Sequence, residues 1–144
     1  MLLALLATLC AGLFAGAAIY ITAVEHPARL ACGPTIAVKM FAPSYHRGTV
    51  MQASLAVAGC GAGVAAWVQS ANGWLLLGAL LLGSVVPFTL LVIFPTNKRL
   101  LDPALPVETP EARALLTRWG QLHAVRSLAS AVAFVIFLLS LAVR

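Results

Sequence analysis

The segment LLALLATLCAGLFAGAAIYITAV, Leu2–Val24, decides the fold, because no charged side chain occurs anywhere along it. A helix of about 20 residues crosses a ~30 Å hydrocarbon core, and this run has that length. It does not read as a signal peptide. No Lys or Arg precedes Arg29, and the apolar core exceeds the usual length of about 7–15 residues. Leu9 stands before Cys10 where a lipoprotein would carry a small residue. The run is expected to be a retained membrane helix.

Three further runs repeat the pattern: Val50–Val68, Trp74–Phe94 and Ser127–Val143. None alternates in polarity, and isolated strands could not satisfy their backbone in lipid. The whole chain is 62% hydrophobic and 9% charged. A soluble domain needs about 25% charged residues to cover its surface, so this surface must face lipid. The expected fold is all-α: a four-helix transmembrane bundle forming one domain over residues 1–144, with helices at about 2–24, 50–68, 74–94 and 111–143.

The fourth helix is expected to begin well before its apolar part. Thr109-Pro110-Glu111 reads as an N-cap followed by a first-turn proline and acid. From there no breaker except Gly120 occurs, so this helix should extend beyond the bilayer into the cytoplasm. In the third run, Pro87 predicts a kink near Gly83–Ser84, with Thr89 re-satisfying part of the freed backbone. Pro95 is expected to end that helix. Gly12 with Gly16, and Gly59 with Gly63, are spaced for close helix approach in lipid.

Basic residues set the orientation. Arg29, Lys39 and Arg47 lie between runs one and two, and Lys98, Arg99, Arg113, Arg118 and Arg126 between runs three and four. Of the nine basic residues only Arg144 falls at the other end. The positive-inside rule then places both termini outside the cytoplasm of a cell membrane. The net charge of +5 reads as topology and affinity for anionic lipid. No nucleic-acid partner is expected, since the charges are dispersed and lack interleaved aromatics.

The polar side chains gather at the cytoplasmic end. Glu25 and His26 follow the first run, His46 and Arg47 precede the second, Asn97 follows the third, and Trp119, Gln121, His123 and Arg126 enter the fourth. Trp119, His123, Arg126 and Ser130 fall on one helical face, within about 60° at 100° per residue. Phe134 and Phe137 continue the stripe. Such a stripe should face the bundle interior, which predicts a cavity open near the cytoplasmic face and floored by aromatic rings. The competing reading is a set of ordinary interfacial anchors. His26, His46 and His123 come from three elements without metal-ligand spacing, so no metal is expected. Cys10, Cys32 and Cys60 form no CxxC pair and predict neither zinc nor a disulfide framework.

Three strings together resemble the anthrone oxygenase family. They are Glu25-His26-Pro27-Ala28-Arg29, Pro87-Phe88-Thr89 with Pro95-Thr96-Asn97-Lys98-Arg99-Leu100, and Arg118-Trp119-Gly120-Gln121-Leu122-His123-Ala124-Val125-Arg126-Ser127. The likeness runs in order over nearly the whole chain and points to a bacterial member. It implies a four-helix membrane enzyme that oxidises anthrones to anthraquinones with dioxygen and no cofactor, as family members do in fungal polyketide pathways. A histidine suits the base such chemistry requires. His123 is the first candidate, with His46 or His26 as substitutes. Arg126 and Asn97 are candidates for stabilising an oxyanion, Trp119 for stacking on the ring system, and His26, His46 and Phe88 for lining the substrate site. The expected partners are the lipid bilayer and a hydrophobic small molecule, and a homo-oligomer is compatible with all of this. The alternative is a non-enzymatic membrane protein holding a lipid, quinone or metal at the same end. A transporter is disfavoured, because no charge lies deep within a span and no inverted repeat is evident.

Overall fold

The computed structural model describes residues 1–142; Arg144 and the expected helix end at Val143 lie outside the described residues. Long apolar runs satisfy their backbone internally by forming helices, and no strand occurs among the described residues. Helix α1 spans Leu2–Tyr20 and passes through a π-helical turn, Ile21–Glu25, into α2, His26–Ala31. Helix α3 spans Pro34–Ser70. Helix α4, Gly73–Phe88, passes through a second π-turn, Thr89–Ile93, into α5, Phe94–Leu100. Helix α6 spans Pro110–Ala142. Four continuous helical stretches are therefore long and apolar enough to cross a membrane.

The two π-turns share a cause. Each is followed at once by a residue and a proline, His26-Pro27 and Phe94-Pro95. A proline ring inside an α-helix clashes with the carbonyl four residues back and donates no hydrogen bond. Opening the preceding turn to wider π geometry relieves that clash and lets the helix continue. Pro95 thus does not end its helix, which runs on to Leu100. Likewise α4 stays α-helical through Pro87, and the irregularity falls at Thr89–Ile93 instead of Gly83–Ser84. The Thr89 hydroxyl donates to the Val85 carbonyl at 2.6 Å.

The largest departure from the expected boundaries is α3, which begins at Pro34 and not Val50. Pro43 and the polar residues around it argue for a loop. Ala37 and Phe41, however, fall four residues apart on one helix face, and both are buried. Phe41 stacks on Tyr45 and meets Trp119 edge-on, with ring centroids 5.7 and 5.4 Å apart. Tertiary burial of this stripe outweighs the local cost of the proline. Gly33, at φ 89°, makes the turn from α2 into α3, a conformation open to glycine without a Cβ penalty.

Two apolar clusters fill the bundle. One, at the end near the α3–α4 turn, joins Ala7, Ala11, Phe14, Ala79, Leu82 and Phe137. Close packing there rests on small residues. A Cβ on Gly63 or Gly78 would stand 2.9–3.0 Å from the Phe137 ring. Gly12 accepts Phe134 in the same way, whereas Gly16 faces open space. The second cluster joins Ala37, Phe41, Ile93, Leu100, Leu116 and Trp119. On the outside, Leu5, Leu9, Leu13, Leu80, Leu128 and Leu139 are exposed, as lipid-facing positions are in a membrane bundle.

The polar segments meet at one end. Thr35 donates to Glu108 at 2.9 Å, and Arg99 pairs with Glu111 and Asp102. The expected N-cap of α6 is present, with the Ala112 amide donating to Thr109 Oγ1 at 3.3 Å.

Candidate functional site

Trp119 is the centre of a buried polar group at that end. On one side its ring meets His26, centroids 5.0 Å apart. On the other it stacks on His123 at 4.7 Å and an interplanar angle of 28°. The Arg29 guanidinium sits 6.0 Å from the Trp119 centroid. Spacing by four on α6 puts Trp119 and His123 on one face, and the π-turn brings α2 against them. His26, Arg29 and His123 are all buried.

Each charged or polar member has a partner, and several keep an unused atom. Arg29 pairs with Glu25, and both reach Ser44 on α3. Arg126 donates to Gln52 Oε1 at 2.8 Å and lies over the Phe14 ring at 5.5 Å. His26 Nε2 lies 3.1 Å from the Leu116 carbonyl. His123 Nδ1 lies 3.0 Å from Thr22 Oγ1, which is 2.8 Å from Ser127 Oγ. Left without a protein partner among the described residues are His26 Nδ1, Arg29 Nε, Gln52 Nε2, Asn97 Oδ1 and Arg126 Nε. Buried polar atoms are normally satisfied, so these atoms are where a bound water or ligand would find partners.

Two small pockets share Gln52 and Thr49. The first, of about 30 Å³, is lined by Ile21, Arg29, Ser44, Tyr45, Trp119 and His123 among others. The second, of about 80 Å³, is lined by Phe14, Val85, Thr89 and Arg126 among others. Outside them, between α1 and α3, lies a mainly apolar groove of about 480 Å³, with Tyr20, Met40, Pro43 and Met51 in its wall and Glu25 and Arg47 at its polar end. Ile21, Ser44 and Gly48 line both this groove and the first cavity. The expected open cavity is therefore divided into two small, partly open pockets beside this groove. Its expected aromatic floor is absent, because Phe134 and Phe137 pack against glycines in the apolar cluster.

Of the candidate residues, Trp119, His123 and Arg126 line these pockets. His26 lies behind Trp119. Asn97 is buried on α5 and Phe88 half-buried in the second apolar cluster, and neither lines either pocket. His46 is exposed and contacts only the Tyr45 ring among the aromatics. The three imidazoles do not converge, and no group of three or more His, Cys, Asp or Glu placed to hold a metal occurs among the described residues. Residues that sequence reasoning passed over are Thr22, Gln52, Ser127 and Gly120. Gln52 carried a signal as an amide inside an apolar run, and Gly120 and Ser127 stand within the Arg118–Ser127 string. Gly120 matters because a Cβ there would stand 2.6 Å from His26 Nε2.

Fold and site together define a multi-pass helical membrane protein with a cluster of buried polar side chains at one end of its bundle. The anthrone oxygenase family model matches residues 41–136, and the chain belongs to that family. Among curated proteins it is similar to the anthrone oxygenase tpcL of Aspergillus fumigatus (strain ATCC MYA-4609 / CBS 101355 / FGSC A1100 / Af293). The two are 55% identical over 49 residues, a match spanning 31% of this chain and 30% of that relative. No solved structure matches the chain. The family match includes Gln52, Trp119, His123 and Arg126 but not Thr22, His26 or Arg29.

Proposed function

We propose that this protein oxidises a hydrophobic aromatic compound of the anthrone type with dioxygen, taking its substrate from the bilayer. The observation that carries the reading is His123, whose Nε2 makes no hydrogen bond among the described residues and whose ring borders a pocket shared with Trp119, Arg29 and Gln52. The groove of about 480 Å³ is within the range of small-molecule sites, about 300–1,000 Å³. It opens on the apolar flank of the bundle, so a planar substrate dissolved in lipid reaches it without crossing water. Its reacting edge then enters the pocket past Ile21, Ser44 and Gly48, which line both, and so comes within reach of His123.

An anthrone carries a methylene between two aryl rings, and loss of a proton gives an enolate. His123 takes that proton as general base. Arg126 and Gln52, each with an unused donor, stabilise the oxyanion, and Trp119, its ring already packed on His123 and His26, walls the pocket against the substrate. The enolate reduces dioxygen and forms a hydroperoxide at the methylene carbon. Loss of water leaves the second ketone, so one CH₂ and one O₂ give one C=O and one H₂O. Asn97 is buried on α5 and lines neither pocket, so it is not placed on the oxyanion. The chemistry as written uses no cofactor.

The same groove fits the acyl chain of a bound lipid or the tail of a quinone, which is the reading of a non-enzymatic binding protein. Oxygen uptake by purified protein given an anthrone separates the two. The enzyme reading requires uptake that His123→Ala abolishes. Full oxidation by His123→Ala would sink the base assignment. A stoichiometric haem, iron or copper, seen in the optical spectrum and by metal analysis, would count against cofactor-free oxidation. The basic end is placed in the cytoplasm and both termini outside on the positive-inside rule.

A further inference from the structure

We infer that Thr22 and Ser127 form a directional hydrogen-bond relay that fixes His123 as its Nδ1–H tautomer, with the lone pair on Nε2. The tautomer follows from the hydrogen-bond geometry, and only its part in catalysis rests on the proposed function.

The direction follows from counting protons. Ser127 Oγ lies 3.0 Å from the Ala18 carbonyl and 3.1 Å from the His123 carbonyl. A carbonyl oxygen only accepts. If the one Ser127 proton pointed elsewhere, the hydroxyl oxygen would face two carbonyl oxygens at these distances with lone pairs alone. The proton therefore goes to a carbonyl, and Ser127 Oγ can only accept from Thr22, 2.8 Å away. Thr22 also has one hydroxyl proton, and it is now committed to Ser127. At 3.0 Å from His123 Nδ1, Thr22 Oγ1 is left as an acceptor. Nδ1 must then carry the hydrogen, and in the neutral imidazole the lone pair is on Nε2.

The fold makes the relay possible. Thr22 lies in the π-turn Ile21–Glu25 ahead of Pro27. Ala18, whose carbonyl anchors the chain of bonds, is four residues earlier on α1. Trp119, stacked on the imidazole, holds the ring plane. Thr22 is thus a positioning residue that acts through His123.

The test is nitrogen-15 NMR of the full chain, labelled at histidine, in lipid nanodiscs. The His123 signals are assigned by their loss in His123→Gln. The wild type should show Nδ1 in the protonated range and Nε2 in the unprotonated range. The reverse pattern, or both nitrogens protonated at neutral pH, overturns the relay. Thr22→Val, nearly isosteric, removes the acceptor and should shift His123 toward the Nε2–H form. Thr22→Ser should restore the wild-type pattern. An unchanged tautomer in Thr22→Val also overturns the relay, and if that variant does not fold the wild-type spectrum alone decides. Anthrone-dependent oxygen uptake gives the separate readout. Where His123 is the base, Thr22→Val should lower it roughly 10²-fold, in line with general-base contributions. A tautomer shift with uptake unchanged leaves the relay standing and removes His123 from the chemistry.

Discussion

Gly120 faces His26 so closely that a Cβ at position 120 would stand 2.6 Å from the imidazole Nε2. That nitrogen also lies 3.1 Å from the Leu116 carbonyl, one turn earlier on α6. His26 is buried and braced by Trp119, so the ring has little freedom to withdraw. Gly120→Ala should therefore destabilise the fold by about 1–3 kcal/mol through overpacking. The gain of roughly 1 kcal/mol from replacing a helical glycine offsets only part of this. Thermal unfolding in detergent measures the net effect, and a raised Tm would show that His26 moves freely.

The glycines of the apolar cluster should separate sharply. A Cβ on Gly63 would meet Ala79 and the Phe137 ring at 2.9 Å, while one on Gly16 would enter open space. Gly63→Ala should lose about 1–3 kcal/mol, and Gly16→Ala should lose nothing. Equal losses in the two variants would contradict the close approach of Phe137 to Gly63.

Arg126 and Gln52 join α6 to α3 by a 2.8 Å bond from a charged donor. Bonds to charged groups contribute about 1.5–3 kcal/mol. A double-mutant cycle with Arg126→Met and Gln52→Leu should return a coupling energy in that range, read from unfolding in mixed detergent. Additive effects would mean the two side chains act independently.

His46 and His123 are predicted to differ in function. His46 is exposed and lies outside the pockets, so His46→Ala should keep anthrone-dependent oxygen uptake within about twofold, whereas loss of a general base costs about 10²–10⁴-fold. A comparable loss in His46→Ala would move the site to the α3 surface.

Sidedness can be read at Cys32, which is exposed at the polar end, while Cys10 is buried. A membrane-impermeant thiol reagent should label Cys32 in inside-out vesicles and leave it unlabelled in right-side-out vesicles. The opposite result would invert the topology.

The four apolar stretches and the extended α6 were legible in the sequence, because both depend on local quantities: run length, absence of charge, and a cap at Thr109. The end of the bundle where the polar side chains gather was legible too, since polar side chains are expelled from lipid wherever the chain allows. The pairing of Trp119 with His123 followed from helical spacing alone. The beginning of α3 at Pro34 was not legible, because Pro43 disfavours a helix locally and only the burial of Ala37 and Phe41 against Trp119 overrules it. Nor were the two π-turns, where a proline that reads as a stop is absorbed by widening the turn before it. The partners of His123 and Arg126, Thr22 and Gln52, lie 101 and 74 residues away. Sequence by itself determined that this chain forms four apolar helices and collects its polar side chains at one end. Only the tertiary structure decided which polar atoms meet there, because hydrogen-bond partners across a bundle are set by helix rotation and register, which no local pattern encodes.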